Sequence, residues 1–224
     1  MNSKSPRLQV FPLMETLEQI KARLESAIPG ARLEIIPNGS PSAQHSLLVD
    51  NDHALAVAKF LRDDPGLRLD YASNVTAVDW PDTVTKEKVK VKQIVEGVEK
   101  EVEQIVEKNK PGFLEAVYHL YSMELKHGPV ILRLRTQDRA ENARLPSLTP
   151  VWRAAEFQER EAYDLYGIIF DGHPDLRRIL MWDGFLDYPM RKDYVEPDDY
   201  EYEPTAHDDV LEKAKQHQVQ EVKP

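Results

Sequence analysis

Apolar residues recur at helical spacing in the first part of the chain. Met14, Leu17, Ile20, Leu24 and Ile28 are three or four residues apart, which predicts an amphipathic helix. The Pro-Gly pair that follows ends the pattern, because proline cannot continue a helix and glycine favours a turn. We therefore expect a helix that buries one apolar face against the rest of the fold.

Two short apolar runs and a second helix follow. Residues 33–36 and 46–49 are apolar and flank a turn segment that contains proline and glycine, so each is predicted to be a strand. The apolar spacing of residues 55–61 then predicts a helix, with Asn51 or Asp52 as its N-cap.

Three further stretches favour strand: residues 67–80, 113–125 and 130–135. The last of them alternates apolar and polar positions, which predicts a half-buried strand with one wet face. The Gly128-Pro129 pair just before it is interpreted as a hairpin turn.

The segment 84–111 differs from its surroundings because valine and isoleucine are interspersed with Lys and Glu. Four valines and one isoleucine between positions 91 and 105 recur at intervals of four and three, a spacing typical of a helical arm that docks on a neighbouring chain. Residues 88–92 alternate instead like a strand. A hairpin or helix laid on the chain's own domain is therefore the alternative interpretation, and the choice stays open at this point.

A third helix is predicted after Pro150, with Gly167 as its C-terminal cap. The elements together predict an α+β domain over residues 1–182, in which two to three helices pack on a mostly antiparallel sheet. The segment 84–111 is a charged insertion in this domain. Residues 183–224, which prolines interrupt repeatedly, are predicted to form an extended tail that binds a partner.

Composition excludes several kinds of site. The 224 residues contain no cysteine, so the chain holds no disulfide, thiolate nucleophile or cysteine-ligated iron–sulfur cluster. The formal net charge of −10 disfavours nucleic-acid binding, which needs concentrated Lys and Arg. The segment from Asp183 to Pro224 contains twelve acidic and five basic residues, so it is not expected to bind anionic lipid by itself.

Signals for membrane insertion are missing from the sequence. No apolar run approaches the ~20 residues needed to span a bilayer, and the opening residues lack the pattern of a secretory signal or transit peptide. We therefore expect a cytoplasmic chain that reaches a membrane only through its partners.

The common catalytic motifs are also missing. The nine glycines form no nucleotide-binding loop, and the seven histidines show no pair at metal-ligand spacing. The acidic C-terminal run lacks the glycine of a calcium-binding loop. We therefore predict no catalytic, cofactor-binding or metal-binding residue in this chain.

Charged and apolar residues are mixed most densely in the third predicted helix and the segment after it. Glu156, Arg160 and Asp164 stack at helical spacing, but each such pair adds only about 0.3–0.5 kcal/mol. This gain is too small to explain the pattern. A surface helix followed by a turn is one interpretation, and a seam where another polypeptide covers paired charges is the other.

The second interpretation predicts a partner interface. Arg177 and Arg178 directly precede an apolar run, a layout that suits a partner with carboxylates around a hydrophobic patch. The predicted interface comprises Glu159, Arg160, Glu161, Asp164, His173, Arg177, Arg178, Arg191, Lys192 and Asp193.

Several of these residues also carry a family signature. The groups in question are Pro146-Ser147-Leu148-Thr149-Pro150-Val151-Trp152, Glu159-Arg160-Glu161, Asp164-Leu165-Tyr166, His173, Arg177, Ile179, Leu180 and Arg191-Lys192-Asp193-Tyr194. With their spacing, this third of the chain resembles the C subunit, the 30-kDa-type subunit of type-I NADH–quinone oxidoreductase (respiratory complex I). The segment 84–111 looks like an insertion relative to that family.

The resemblance implies a non-catalytic, cofactor-free subunit of the peripheral arm, packed on the D and B subunits, which form the quinone site. It implies that FMN, the iron–sulfur clusters and the NADH and quinone sites belong to other subunits. The whole complex would couple electron transfer from NADH to quinone with proton translocation. The isolated chain would then be inactive, would lie on the cytoplasmic side of the bacterial membrane through its partners, and would extend its tail across the D subunit.

Two alternatives remain at the level of the sequence. Related membrane-bound hydrogenases and dehydrogenases fed by ferredoxin or a deazaflavin contain an equivalent subunit, and the sequence does not identify the electron donor. A free-standing enzyme would use Glu159, Glu161 and His173 as acid–base groups. On a helix Glu159 and Glu161 point about 200° apart, so they cannot share one substrate.

Overall fold

The computed structural model describes residues 15–95, 98–182 and 184–195, with residues 86–106 described by their backbone alone. The chain divides into two compact units, Met1–Asp193 and Tyr194–Pro224. Within the described part of the first unit, three helices pack on a mostly antiparallel sheet, which confirms the predicted α+β class. Most of the predicted tail lies outside the described residues.

The described elements follow one another in this order: α1 (Leu17–Ala27), β1 (Leu33–Ile36), β2 (Ser46–Val49), α2 (Ala54–Asp63), β3 (Tyr71–Trp80), β4 (Thr83–Val95), β5 (Val98–Lys110), β6 (Phe113–Ser122), β7 (His127–Arg135), β8 (Arg144–Pro146), α3 (Ala155–Tyr166) and β9 (Ile169–Asp171). Among them, no helix has the length and apolar character needed to cross a membrane.

Helix α1 confirms the first predicted helix, and Thr16 is its N-cap. The Thr16 hydroxyl accepts a hydrogen bond from the Gln19 backbone N–H, and the Gln19 side chain accepts one from the Thr16 N–H. This reciprocal arrangement satisfies two N–H groups that a helix start otherwise leaves unpaired. Ile20 and Leu24 are fully buried, as their spacing predicted.

The main sheet has five strands in the order β1-β2-β7-β6-β3. Strands β2 and β7 pair in parallel, and the other neighbours pair in antiparallel orientation. Two smaller sheets consist of β4 with β5 and of β8 with β9. Helix α3 connects the two parallel strands β8 and β9 and packs on β3.

The alternation predicted for β7 sorts its residues onto two faces. Val130, Leu132 and Leu134 are buried in the same hydrophobic cluster as the apolar faces of the three helices. Arg133 and Arg135 lie on the opposite face, where both bind the buried carboxylate of Glu115. One face of the sheet therefore holds the core.

The segment 84–111 is a two-stranded ribbon, so of the two interpretations left open by the sequence the helical arm is wrong. Strands β4 and β5 pair in antiparallel register from Thr83↔Lys110 to Val95↔Val98. The hairpin of the alternative interpretation and the strand-like alternation of residues 88–92 are confirmed, but neither strand packs extensively on another element of the described domain. β-branched valines favour the pleated strand over an isolated helix, and this preference outweighs the heptad-like spacing.

Helix α2 is confirmed, but its predicted cap is wrong. The N-cap residue is His53, and its side chain makes no capping hydrogen bond. Asn51 uses its side-chain amide elsewhere, donating to the Arg135 carbonyl of β7 at 3.1 Å. The Asn51 side chain, which the sequence predicted to cap α2, therefore binds strand β7 instead.

The turn between β6 and β7 also differs from its prediction. It occupies residues 123–126, and the Gly128-Pro129 pair lies inside β7 with a cis peptide bond. Positive-φ backbone at Lys126 completes the reversal without the Gly-Pro pair.

Candidate partner-binding site

The site centres on α3 and on the segment that follows β9. We call residues 176–182 and 184–193 the strap; outside the helices and strands, they lie against α3 and the end of β3. Helix α3 ends at Gly167, whose φ of +78° is the left-handed conformation that glycine adopts without strain. A Cβ at this position would lie 2.6 Å from the Tyr188 ring of the strap, so glycine also permits close approach.

Glu159 fixes the inner side of α3 and is fully buried. Its carboxylate accepts hydrogen bonds from the Tyr118 hydroxyl at 3.0 Å, the Ser147 hydroxyl at 2.6 Å and the Leu148 N–H at 2.9 Å. Burial raises the pKa of this carboxyl, because neutral donors compensate only in part for lost solvent. Glu159 therefore joins the helix to the sheet and to the loop before it.

Asp164 fixes the strap to the far end of α3 and is also fully buried. Its Oδ2 accepts hydrogen bonds from three consecutive backbone N–H groups, those of Ile179, Leu180 and Met181, at 2.7–3.0 Å. Its Oδ1 accepts one from Arg178 at 2.7 Å. Burial alone would raise the pKa of Asp164, but these donors outweigh it and hold the pKa below its usual value.

The Arg160 side chain binds the backbone of the strap at Arg177 and Arg178. Its Nε donates to the Arg177 carbonyl and its Nη2 to the Arg178 carbonyl, both at 3.1 Å. The side chain is only 8% exposed and lies 3.7 Å from Asp175. The planar guanidinium reaches two carbonyls at once, which a lysine ammonium could not do with the same geometry.

The expected stack of charges along α3 is not formed. Glu156 lies 3.9 Å from Arg153, Arg160 reaches strap carbonyls, and Asp164 pairs with Arg178. Pairing of buried backbone groups outweighs the weak attraction between neighbours on a helix surface.

Arg178 points inward, between the strap and α3. Besides Asp164 it donates to the Asp187 carbonyl at 3.3 Å, and its guanidinium lies 5.5 Å from the ring centroids of both Phe185 and Tyr188. The side chain is 12% exposed. The Arg178 guanidinium is therefore paired with groups of its own chain.

The last part of the strap is fixed by its own backbone and by Arg191. The Met190 N–H donates to the Leu165 carbonyl at 3.1 Å, and Arg191 Nε donates to the Tyr166 carbonyl at 2.6 Å. These carbonyls belong to the end of α3, where helices leave acceptors unpaired.

A buried ion pair joins the end of the strap to β3. Arg139 binds both carboxylate oxygens of Asp79 at 2.7 Å, and Asp79 also accepts the Lys192 N–H at 2.8 Å. Burial opposes ionisation of Asp79, yet Arg139 and this N–H hold its pKa below the usual value. Arg139 reaches Asp193 as well, at 2.9 Å.

The strap is held by its backbone, and part of its apolar surface faces outward. Buried carboxylates and arginines bind its backbone and Leu176 packs against the core, while five of its large apolar side chains are exposed: Ile179 38%, Leu180 61%, Trp182 46%, Leu186 84% and Met190 54%. Phe157, on the outer face of α3, is 60% exposed. Exposed apolar side chains grouped in this way are typical of a surface that another molecule covers, which is what the sequence predicted for this region.

The ten predicted interface residues fall into two groups. Three are buried and the fourth, Arg178, is 12% exposed, and all four hold the fold or the strap: Glu159, Arg160, Asp164 and Arg178. The others lie nearer the surface: Glu161, His173, Arg177, Arg191, Lys192 and Asp193. In this conformation the first four side chains therefore support an interface indirectly, and the interface itself stays a prediction.

His173 and Arg177 also have partners within the chain. His173 Nε2 lies 2.9 Å from the Glu156 carbonyl, and its Nδ1 accepts the Asp175 N–H at 3.0 Å. Arg177 binds Asp175 at 3.0 Å but keeps 72% of its side chain exposed. Of the paired arginines in the strap, Arg177 is thus the one available to a partner.

Sequence reasoning missed the groups that complete these contacts. Tyr118, Asp79 and Arg139 are distant in sequence from the residues they bind, whereas Ser147 lies in the loop just before α3. Ser147 stood inside a matching family segment, which was the available signal. No pattern in the sequence indicated the ion pair of Asp79 with Arg139, because the two residues are 60 positions apart and meet only in the folded chain.

Glu159 and Glu161 lie on opposite sides of α3, as their spacing predicted. Glu159 is fully buried and Glu161 is exposed, so they do not form one catalytic pair. Within residues 15–95, 98–182 and 184–195, no group of three or more His, Asp or Glu residues is placed to hold a metal ion. That the chain binds no cofactor stays a prediction.

An α+β body with exposed apolar side chains along its strap is typical of one class of protein, the subunit of a larger assembly. The chain belongs to the family described as the 30-kDa subunit of respiratory-chain NADH dehydrogenase, whose model matches residues 47–200.

Curated relatives agree with this assignment. The chain is 36% identical over 158 residues to the C 2 subunit of NADH-quinone oxidoreductase from Rhizobium meliloti (strain 1021), covering 70% of this chain and 69% of the relative. It is 34% identical over 188 residues to the C subunit of NADH-quinone oxidoreductase from Hyphomonas neptunium, covering 84% and 76%. Across the relatives compared, the chain spans between 47% and 76% of their length.

A solved structure shares the fold. A chain of the membrane-bound sulfane sulfur reductase, an archaeal respiratory membrane complex, matches 88% of this chain and 91% of its own length, with a TM-score of 0.52 and 22% identity. At this identity the similarity shows the fold alone.

Proposed function

We propose that this chain is the cofactor-free, non-catalytic C subunit of an NADH–quinone oxidoreductase, where it supports the subunits that form the quinone site. The complex would transfer electrons from NADH to quinone and translocate protons, with FMN, iron–sulfur clusters and both substrate sites on other subunits. The proposal is supported by the family match and by relatives that are named as C subunits.

The outward apolar side chains of the strap carry the proposal. Five of them lie between Ile179 and Met190, on a segment whose backbone is bound by Asp164 and Arg160. A protein that worked alone would gain free energy by turning these groups inward. The strap instead holds them in place for another chain, and we assign that role to the D and B subunits.

The same contacts support the proposal of a structural rather than a catalytic role. Both buried carboxylates of α3 accept hydrogen bonds from groups of this chain, Glu159 from the Leu148 N–H and Asp164 from the Ile179 N–H among others. We therefore propose that the chain positions its neighbours on the cytoplasmic side of the membrane and is inactive alone.

The electron donor of the complex is the point on which the alternative differs. An equivalent subunit of a membrane-bound hydrogenase, or of a dehydrogenase fed by ferredoxin or deazaflavin, would use the same fold. The relatives named as NADH-quinone oxidoreductase subunits favour the NADH-linked complex.

Surface substitutions in the strap test the proposal. Leu180→Glu with Leu186→Glu should leave the isolated chain folded, because both side chains are largely exposed. It should prevent the chain from joining the complex, since two carboxylates would be buried in an apolar contact. The measurement is the amount of tagged chain in the purified complex and its NADH–quinone activity.

The matched control is Met123→Glu, which changes a 64% exposed apolar residue in the turn between β6 and β7. This variant should enter the complex normally. Normal incorporation of the double strap variant would refute the proposed interface.

A further inference from the structure

A two-stranded ribbon continues from one end of the main sheet. The last register pair of β3 and β6 is Trp80↔Phe113, and the first pair of the ribbon is Thr83↔Lys110. The ribbon therefore prolongs the same two strands beyond a break of two residues on each side. Thirteen residues per strand give it a length of about 43 Å.

The root of the ribbon is tightly packed and adjoins the end of the strap. A Cβ on Gly112 would lie 2.4 Å from the Trp80 carbonyl oxygen, and the Gly112 N–H donates to Asp82 at 2.5 Å. Asp79, one residue before Trp80, accepts the Lys192 N–H of the strap. The ribbon thus leaves the body where the proposed partner surface ends.

Within the described chain the ribbon is supported mainly by itself. Strands β4 and β5 contact each other along their whole length, and neither contacts a third element extensively. A two-stranded hairpin alone in water is marginally stable at best. A ribbon of this length therefore requires a further layer of protein or an equivalent covering.

Charge is balanced on one face of the ribbon. The register places Lys86 opposite Glu107, Lys90 opposite Glu103 and Lys92 opposite Glu101. Opposite charges therefore occupy cross-strand positions, and the formal charges on this face balance. Four lysines and four glutamates share it, which argues against an anionic partner such as lipid or nucleic acid.

The other face is apolar in its middle. Strand residues alternate between faces, and the register gives this face six valines: Val89, Val91 and Val95 on β4, with Val98, Val102 and Val106 on β5. Its charged positions, Glu87, Lys100, Lys108 and Lys110, are few and scattered.

We propose that the valine face of the ribbon docks on an apolar surface of a neighbouring subunit in the assembly. The inference rests on the proposed function and extends the partner surface beyond the strap, with which the root of the ribbon is continuous. Balanced charge on the opposite face leaves that side to water. The ribbon and the strap then bind the assembly from one continuous side of the chain.

Hydrogen exchange of the backbone amides tests this proposal in the wild-type protein. The full chain alone is compared with the purified complex that contains it. Amides of β4 and β5 should exchange roughly tenfold more slowly in the complex, and strap amides should slow as well. Slowing in the strap without slowing in the ribbon overturns this inference and leaves the proposed function standing. No slowing in either segment overturns both.

Two double variants at adjacent register pairs test the face. Val91→Thr with Val102→Thr alters the valine face, and Lys90→Thr with Glu103→Thr alters the charged face, while threonine keeps the β-branched shape. In the complex, the valine variant should exchange roughly tenfold faster in the ribbon, since covered hydroxyls lack partners. The control should stay within about twofold. Equal effects would overturn the assignment of the face.

A photo-crosslinking residue at position 91 identifies the occupant. Capture of a different subunit in the purified complex supports the proposal. Capture of a second copy of this chain, of lipid or of nothing overturns it.

Discussion

Glu159 and Asp164 lie five residues apart on one helix, both are fully buried, and their surroundings differ completely. Glu159 accepts hydrogen bonds from neutral groups and has a raised pKa. Asp164 accepts three consecutive N–H groups and a guanidinium, and has a lowered pKa. Helix α3 therefore has two roles: its inner side completes the body, and its last turn holds the strap.

The two attachments should therefore fail separately. Contacts of Glu159 end in the body, on Tyr118 and the loop at Ser147, whereas those of Asp164 end in residues 178–181 of the strap. Loss of the first should loosen the whole domain. Loss of the second should release a segment whose outward side contributes nothing to the core.

The largest effect is expected from Asp164→Ala. It leaves Arg178 and three N–H groups without their acceptor, which costs about 3–5 kcal/mol of the local free energy that holds the strap. Trypsin should cleave after Arg177 and Arg178 much faster than in the wild type. The urea midpoint of the body, followed by far-UV circular dichroism, should change far less.

Glu159→Ala should destabilise the body rather than the strap. It leaves the buried hydroxyls of Tyr118 and Ser147 without an acceptor, so the free energy of unfolding of the body should fall by about 3 kcal/mol or more. If both variants lowered the urea midpoint equally, the division between body and strap would be wrong.

A pair of glycine substitutions sharpens the comparison at the helix end. Gly167 and Gly172 have φ of +78° and +81°, but only Gly167 faces a neighbour, the Tyr188 ring of the strap. Gly172→Ala should cost about 1 kcal/mol for the left-handed backbone alone. Gly167→Ala should cost about 1–3 kcal/mol more, because the strap must shift. Thermal unfolding of both variants gives the difference, and equal losses would show that the strap does not press on the helix end.

Arg160→Lys separates geometry from charge. Lysine keeps the positive charge but loses the planar pair of donors to the Arg177 and Arg178 carbonyls, so we expect a loss of about 1–2 kcal/mol. Arg153→Lys is the control, since its side chain is 94% exposed, and it should stay within about 0.5 kcal/mol. Urea unfolding measures both, and a neutral Arg160→Lys would mean that charge alone suffices.

The smallest effect should appear in the pH dependence of stability, with opposite signs for the two carboxyls. The pKa of Glu159 is raised above 4.5, so acidification through that raised pKa stabilises the fold. The pKa of Asp164 is lowered below 3.8, so its contribution is present above 3.8 and is lost as pH falls through the lowered pKa.

Neutral variants isolate these two contributions. Glu159→Gln should abolish the stabilisation on acidification, and Asp164→Asn should abolish the loss below pH 3.8. Unfolding free energies between about pH 3 and pH 7 check the contribution of Glu159, and hydrogen exchange of the strap amides over the same range checks that of Asp164. If the two substitutions changed the wild-type pH dependence in the same direction, the assigned environments would be wrong.

Local patterns predicted most of the fold. Helical spacing gave Ile20 and Leu24 of α1, alternation gave the two faces of β7, and Gly167 ended α3 as expected. These features depend on neighbours within a few residues, so the sequence alone contains them.

Features that depend on distant partners were not predictable. The side chain of Asn51 binds a strand 84 residues away instead of capping α2, and Asp79 meets Arg139 and Lys192 only because the sheet and strap place them together. The valine spacing in 84–111 fitted both a helix and a ribbon, and only strand pairing decides between them. In the candidate site, the charged residues could be predicted from the sequence, but not which of their side chains are buried within the chain.

Hydroxyl-radical footprinting of the strap tests the central claim most directly. Trp182, Leu186 and Met190 are exposed in the chain and oxidise readily when water reaches them. They should be modified quickly in the isolated chain and at least roughly tenfold more slowly in the purified NADH–quinone oxidoreductase complex, with Met123 unchanged as the internal control. Equal modification of these three residues in both states would show that no neighbouring protein covers the strap.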